Sequence, residues 1–160
     1  MEIISLDIKD RDTAEAIWAL QHPAYRSEAA LIGVTDLPPL RDTVESLQAC
    51  GETFLGCRDE DGELNGAISY EQDSDSAEPD HYTICRLMVH PDVHRQGIGR
   101  KLLDRLLSER PPGSRWTVTA EIRNTPALSL YGRFGFVARD SFKPIPDIEL
   151  LRLVRMPLST

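Results

Sequence analysis

Residues 94 to 99, His94-Arg95-Gln96-Gly97-Ile98-Gly99, set two glycines two positions apart where an apolar, strand-like run gives way to an amphipathic helix. That arrangement makes an anion site. With no Cβ in the way, successive backbone N–H groups can turn inward and meet the positive end of the following helix. Arg95 and Arg100 add positive charge, and two cations beside exposed amides suit a polyanion such as a phosphate chain. The imidazole of His94 can donate a further hydrogen bond. The stretch has neither the GxGxxG spacing of dinucleotide folds nor the GxxxxGK[ST] of P-loops, so it is not one of those two phosphate cradles, and a nucleotide-binding regulatory domain is disfavoured.

A second block, Asn124-Thr-Pro-Ala-Leu-Ser-Leu-Tyr131-Gly-Arg-Phe-Gly135-Phe136, follows a strand-like WTVTAEI. With Leu87-Met88-Val89-His90-Pro91 ahead of the glycine loop, the two blocks resemble the GNAT superfamily of acyl-CoA-dependent N-acetyltransferases. In that family a hydrophobic-x-Val-x-Pro strand end leads into [Gln/Arg]-x-x-Gly-x-[Gly/Ala], and N-x-x-A-x-x-L-Y-x-x-x-G-F follows the fifth strand. Asn124, Ala127, Leu130, Tyr131, Gly135 and Phe136 fill every named place of the second pattern. His94 departs from the first, where Gln or Arg is usual. The resemblance is strong over residues 84 to 136 and weak elsewhere.

The resemblance implies acetyl-CoA as cofactor and a primary amine, on a small molecule or a peptide, as acceptor by direct attack. It places the backbone of Leu87, Met88 and Val89 along the pantetheine arm, and His94, Arg95, Gln96, Gly97, Ile98, Gly99 and Arg100 around the pyrophosphate. Asn124 would cap its helix and touch the cofactor arm, and Tyr131 would also lie at the cofactor. Tyr131 is the implied general acid for the departing thiolate: a phenol, with pKa about 10 against about 8.5 for a thiol, stays protonated at neutral pH. The general base is open. Relatives place it at positions that here hold Thr83, Cys85 and Thr119, none a strong base, which leaves Glu121, Glu71, His81 or water. That gap also keeps a second reading in view, a non-catalytic acyl-CoA-binding sensor or regulatory module. Acceptor choice is expected from the 22 to 40 connection, with His22, Tyr25, Arg26, Glu28 and Asp36, and from the 140 to 148 bend.

The chain has 160 residues, 41% of them hydrophobic and 28% charged, which suits one domain over 1–160. No apolar run approaches the ~20 residues of a membrane span, and the acidic start is unlike a signal peptide, so a cytoplasmic protein without a membrane partner is expected. Cys50, Cys57 and Cys85 show no metal-ligand or disulfide spacing, and no metal is expected. A formal net charge of −8 argues against nucleic acid as a partner and suits a cationic acceptor. A homodimer is suggested only by analogy with relatives.

The elements that would hold these residues follow from local pattern. Residues 2 to 8 read as a strand, and Asp12-x-x-Glu15 as the cap of a helix that fades near His22-Pro23. Leu40, Val44 and Leu47 mark one face of a helix ending at Gly51. Runs at 53–59 and 64–71 flank Asp61-Gly62 as a hairpin, and a polar loop at 73–80 precedes the strand HYTICRLMV. A helix after Gly99 carries Leu102, Leu103, Leu106 and Leu107 and stops at Pro111. Strands at 136–142 and 148–158 close the chain around a bend at 143–147. The whole reads as α/β (α+β), a GNAT-like mixed, mostly antiparallel sheet of about six to seven strands flanked by about four helices.

Overall fold

A computed structural model describes residues 2–73 and 80–157. Its elements are β1 (Glu2–Leu6), α1 (Arg11–Ile32), a 3-10 turn at Pro38–Arg41, α2 (Val44–Ala49), β2 (Thr53–Arg58), β3 (Leu64–Gln72) and β4 (His81–Val89). A second 3-10 turn at Pro91–Val93 leads to α3 (Ile98–Glu109), β5 (Arg115–Glu121), α4 (Thr125–Arg133), β6 (Val137–Ile145) and β7 (Ile148–Arg155). The strands form one seven-stranded sheet in the order β1-β2-β3-β4-β5-β7-β6. Every neighbouring pair is antiparallel except β4 and β5. This is the expected mixed, mostly antiparallel sheet with four α-helices.

Both faces of the central strands are covered, which is why β2 and β3 carry unbroken buried runs rather than alternation. On one face Ala14, Ile17 and Leu20 of α1 and Leu47 of α2 pack on Phe54, Ala67 and Met88. On the other, Ile98, Leu102, Leu103 and Leu106 of α3 and Tyr131 of α4 pack with Leu55, Ile68, Ile84 and Trp116. No helix among the described residues is long and apolar enough to cross a membrane.

Local chemistry moved several boundaries. The N-cap of α1 is Asp10, not Asp12: its carboxylate accepts the N–H of Thr13 at 3.0 Å. Asp12 lies in the first turn, and Glu15 pairs with Arg11 at 3.1 Å instead of closing a capping box. The helix does not fade at Pro23 but continues to Ile32 and ends on Gly33 at φ 82°. Proline removes one backbone donor, and the apolar face running through Ala24, Tyr25, Ala29 and Ile32 keeps the second half packed on the sheet. Much of the expected 22–40 connection is therefore helix.

The helix expected over 40–51 splits at Asp42, because Thr43 and Ser46 form a capping box that starts α2 afresh. Helix α3 starts at Ile98, one residue before Gly99, and β6 extends to Ile145, which leaves only Pro146 and Asp147 as the bend. Of the polar loop at 73–80, residues 74–79 lie outside the described residues, as does the end of the expected last strand at 158.

Candidate active site

β4 and β5 pair only over His81–Thr83 and Arg115–Thr117. Beyond that ladder β4 runs on to Val89 and β5 to Glu121 with no pairing between them. A bulge marks where they part: Ser69 faces Arg86 and Tyr70 faces Ile84, so Cys85 is the extra residue, and such an insertion bends its strand and raises its twist. The edge of β4 toward β5 is left without a strand partner over Ile84–Val89.

Two cavities open on this gap. The smaller, about 310 Å³, is bounded by apolar Ile32, Leu37, Ile145, Ile148 and Leu150 and reaches Tyr131 and Glu121. The larger, about 640 Å³, runs along Leu87–Val89 and over the 94–100 loop to Leu130 and Arg133 of α4. Tyr25, Glu28, Leu87, Asn124 and Ala127 line both, so the cavities meet there.

The glycine loop is built to present amides. Gly97 caps α3 at φ 77°, Arg95 also takes a left-handed φ of 67°, and no side chain caps the helix. The first intrahelical bond runs from Lys101 N to Gly97 O at 3.0 Å, leaving the first-turn N–H groups without intrahelical partners beside the larger cavity. Gly66 of β3 seats this helix: a Cβ there would lie 2.7 Å from Ile98 Cγ2. The imidazole of His94 is turned back, its Nε2 3.2 Å from Val89 O, so that nitrogen closes the loop onto β4. Leu87, Met88, Val89, His94, Arg95, Gly97, Ile98, Gly99, Arg100 and Asn124 all line the larger cavity; exposed Gln96 and buried Tyr131, also expected at the cofactor, do not. The side chain of Met88 is core, 3% exposed.

Helix α4 starts as its sequence requires, with Asn124 Oδ1 accepting the N–H of Ala127 at 3.3 Å and Pro126 in the first turn. Six residues on, this helix brings Tyr131 to the smaller cavity, its ring 5.6 Å from that of Phe136 and 5% of its surface exposed. Burial, and after it the carboxylate of Glu28, hold the Tyr131 phenol well above its ordinary range, so it stays protonated. Tyr25 is raised by the same two influences.

The chain matches the model of the "Acetyltransferase (GNAT) family" over residues 14–136. It is 41% identical over 146 residues to the UPF0157 protein YqkA of Bacillus subtilis, covering 91% of this chain and 40% of that protein. It is 36% identical over 73 residues to the [ribosomal protein bS18]-alanine N-acetyltransferase of Escherichia coli K12, covering 42% of this chain and 49% of that enzyme. The chain thus spans less than half the length of these curated relatives. Among solved structures, the ribosomal-protein-S18-alanine N-acetyltransferase of E. coli superposes with a TM-score of 0.76 at 18% identity, over 99% of this chain and 95% of that one. Salmonella typhimurium YncA, solved with its cofactor acetyl-CoA, does so at 0.71 and 20% identity, over 100% and 95%. The chain belongs to the GNAT acetyltransferase family.

The GNAT resemblance left three side chains as candidate bases, and the structure separates them. Glu121 reaches the smaller cavity, but both its oxygens are engaged. Oε1 accepts Arg123 N at 2.8 Å and Nε at 2.9 Å, and Oε2 accepts Arg123 Nη2 and Glu149 N, both at 2.9 Å. The Arg123 guanidinium and these backbone donors hold its carboxyl down to about 2 against burial. Glu71 is exposed on β3, opposite Thr83. His81 sits at the closed end of the seam, Nε2 3.0 Å from Thr117 Oγ1 and Nδ1 3.3 Å from Asp73 Oδ2. Neither Glu71 nor His81 lines either of these two cavities. Of the three GNAT base positions, Cys85 and Thr119 line the smaller cavity and Thr83 does not. Although Cys85 is exposed as a residue, desolvation of its thiol first, then Glu52 and Glu71, push it up to about 12, which disfavours the thiolate at neutral pH.

Sequence reasoning in this GNAT chain put Glu28 in a connection that sets acceptor choice rather than on a helix at the reacting centre, and it missed Arg86 altogether. Glu28 stands where the cavities meet, because α1 passes through Pro23. The 3- and 4-residue steps from Ile17 through Gln21, Ala24 and Glu28 to Ile32 carried that signal. Arg86, 12% exposed, is locked behind the site by Glu52 Oε1 at 2.9 Å, Gln21 Oε1 at 2.9 Å and Asp42 Oδ2 at 2.6 Å. Partners 34, 65 and 44 residues away leave no local pattern. Gln21 Nε2 also reaches Pro39 O at 2.7 Å, so this network ties α1 to the turn over the smaller cavity.

Proposed function

We propose that residues 1–160 work as one N-acetyltransferase domain that moves an acetyl group from acetyl-CoA to a primary amine of a peptide or small molecule by direct attack. The observation that carries this reading is the meeting of a long groove, ending on bare helix amides, with a separate apolar cavity, at a point lined by ionisable side chains. The groove suits a long polar cofactor and the cavity a smaller acceptor. Acetyl-CoA supplies the acetyl thioester.

The chain's residues divide the remaining work. The unpaired edge of β4 at Leu87, Met88 and Val89 takes the pantetheine arm as an added strand, and one of its amides polarises the acyl oxygen. The first turn of α3, from Gly97 to Arg100, holds the pyrophosphate with Arg95 beside it and His94 bracing the loop. Tyr131 donates a hydrogen bond to the leaving sulfur; with its pKa raised by burial it steadies the thiolate rather than surrendering its proton outright. Direct attack fits a cavity thiol, Cys85, whose raised pKa disfavours the thiolate that an acyl-enzyme route would need. A peptide α-amine is favoured because the 36% identical relative is named for an alanine acceptor and the cavity walls are apolar.

The test is thiol release from acetyl-CoA with an alanine-initiated peptide, spermidine and an aminoglycoside as acceptors, alongside calorimetric binding of acetyl-CoA. Release with any acceptor supports the enzyme. Binding with no release across the panel favours the non-catalytic acyl-CoA-binding module, and no binding removes the reading.

A further inference from the structure

We propose that Glu28, and not Glu121, is the catalytic base of this site, taking from the acceptor amine the proton it must lose before it can attack. This rests on the acetyl-transfer reading above. Glu28 is the carboxylate found where the two cavities meet, so an amine entering from the apolar cavity toward the end of the groove passes it. Its Oε1 accepts a hydrogen bond from Asn124 Nδ2 at 2.6 Å, and among the described residues Oε2 has no partner. Glu121, by contrast, has four donors on two oxygens.

Among the described residues no ion pair neutralises Glu28. Around it stand Tyr25 on its own helix, Cys85 and Arg86 on β4, Glu121 on β5, and Asn124 and Tyr131 of the α4 segment. His94, Arg95, Arg100 and Arg133 border the groove. Arg86 is committed to Glu52, Asp42 and Gln21, and Arg123 to Glu121. Burial, with the charge of Glu121 adding to it, raises the Glu28 carboxyl above its ordinary value although the Asn124 bond pulls the other way. A carboxylate raised toward neutrality is a better proton acceptor than one held at about 2.

The step balances. Glu28 Oε2 takes one proton from the alkylammonium, breaking N–H and forming O–H. The freed nitrogen pair forms the C–N bond, the C–S bond breaks, and its pair leaves on sulfur. The second nitrogen proton passes to sulfur under the Tyr131 hydroxyl. Glu28 then returns its proton to water, releasing one proton for each amide made.

The test compares wild type with Glu28→Gln in the full chain. Thiol release is followed against pH with acetyl-CoA and an alanine-initiated hexapeptide, acetyl-CoA binding is measured by calorimetry, and the glutamate carboxyls are titrated by carbon-13 NMR. Wild-type kcat falls as pH drops through the raised pKa of Glu28. In Glu28→Gln, kcat falls about 10²–10³-fold, that acid limb disappears, and acetyl-CoA affinity stays within about twofold. In the NMR arm, which needs no acceptor, Glu28 titrates above the ordinary glutamate range and Glu121 below it. Unchanged kcat and pH limb in Glu28→Gln, or a Glu28 carboxyl that titrates as a solvated glutamate, overturns the proposal and leaves the acetyl-transfer reading standing. A wild-type protein that binds no acetyl-CoA overturns both.

Discussion

The two ends of the β4–β5 seam are built from the same pair of strands and behave as opposites. At the closed end, Tyr82 stacks on Trp116 with ring centroids 5.0 Å apart, Tyr70 meets both edge-on, and the strands are hydrogen-bonded over His81–Thr83. At the open end, past the Cys85 bulge, the ladder stops, and Tyr25, Glu28 and Tyr131 gather in unfilled space. Aromatic packing closes one end and holds the strands in register, while the other keeps backbone and side-chain groups unpaired and ready for a ligand. Stability is concentrated where chemistry is absent.

Substitutions at the two ends should therefore separate folding from turnover. The largest effect belongs to the closed end. Trp116, 1% exposed, when replaced by Ala should cost about 3–5 kcal/mol in denaturant unfolding, through lost burial and an unfilled cavity. At the open end, Tyr131→Phe should lower kcat about 10²-fold, near 2.7 kcal/mol of barrier, with acetyl-CoA affinity little changed and stability shifted by less than about 1 kcal/mol. Unchanged turnover would remove Tyr131 from the mechanism.

A smaller loss is expected from Glu121→Gln, about 2 kcal/mol of stability, because it weakens the clasp that ties the end of β5 to Arg123 and β7. Its pH signature has a fixed sign. The folded carboxyl titrates at about 2 against an ordinary 4.5, so its contribution is present above 4.5 and lost as pH falls toward 2. Wild type should lose that increment over this window, and Glu121→Gln should not. Glu28 has the opposite sign: its raised carboxyl favours the folded state at pH below the ordinary glutamate value, and that contribution is lost as pH rises through the folded pKa.

The parts of the site legible from sequence were those set by neighbours a few residues apart. The Gly97-Ile98-Gly99 turn and the Asn124 cap with Pro126 each specify a helix start locally, and each helix start positions a wall of the groove. What stayed hidden depends on tertiary contact. Pro23 reads as a stop, yet packing on the sheet carries α1 past it and delivers Glu28. The Arg86 network joins four distant segments, and Gly66 shows its role only when Ile98 lies over it. Glu121 stood among the candidate bases, but Arg123, two residues on, folds back and takes both oxygens.

The most direct test of the open end as the cofactor site is a nitrogen-15 amide titration of the wild-type protein with acetyl-CoA. Shifts are expected at Leu87–Val89, at Gly97–Arg100 and at the start of α4, with His81–Thr83 and Arg115–Thr117 unmoved. Shifts centred on the closed ladder, or no shifts at all, would contradict the assignment of this seam.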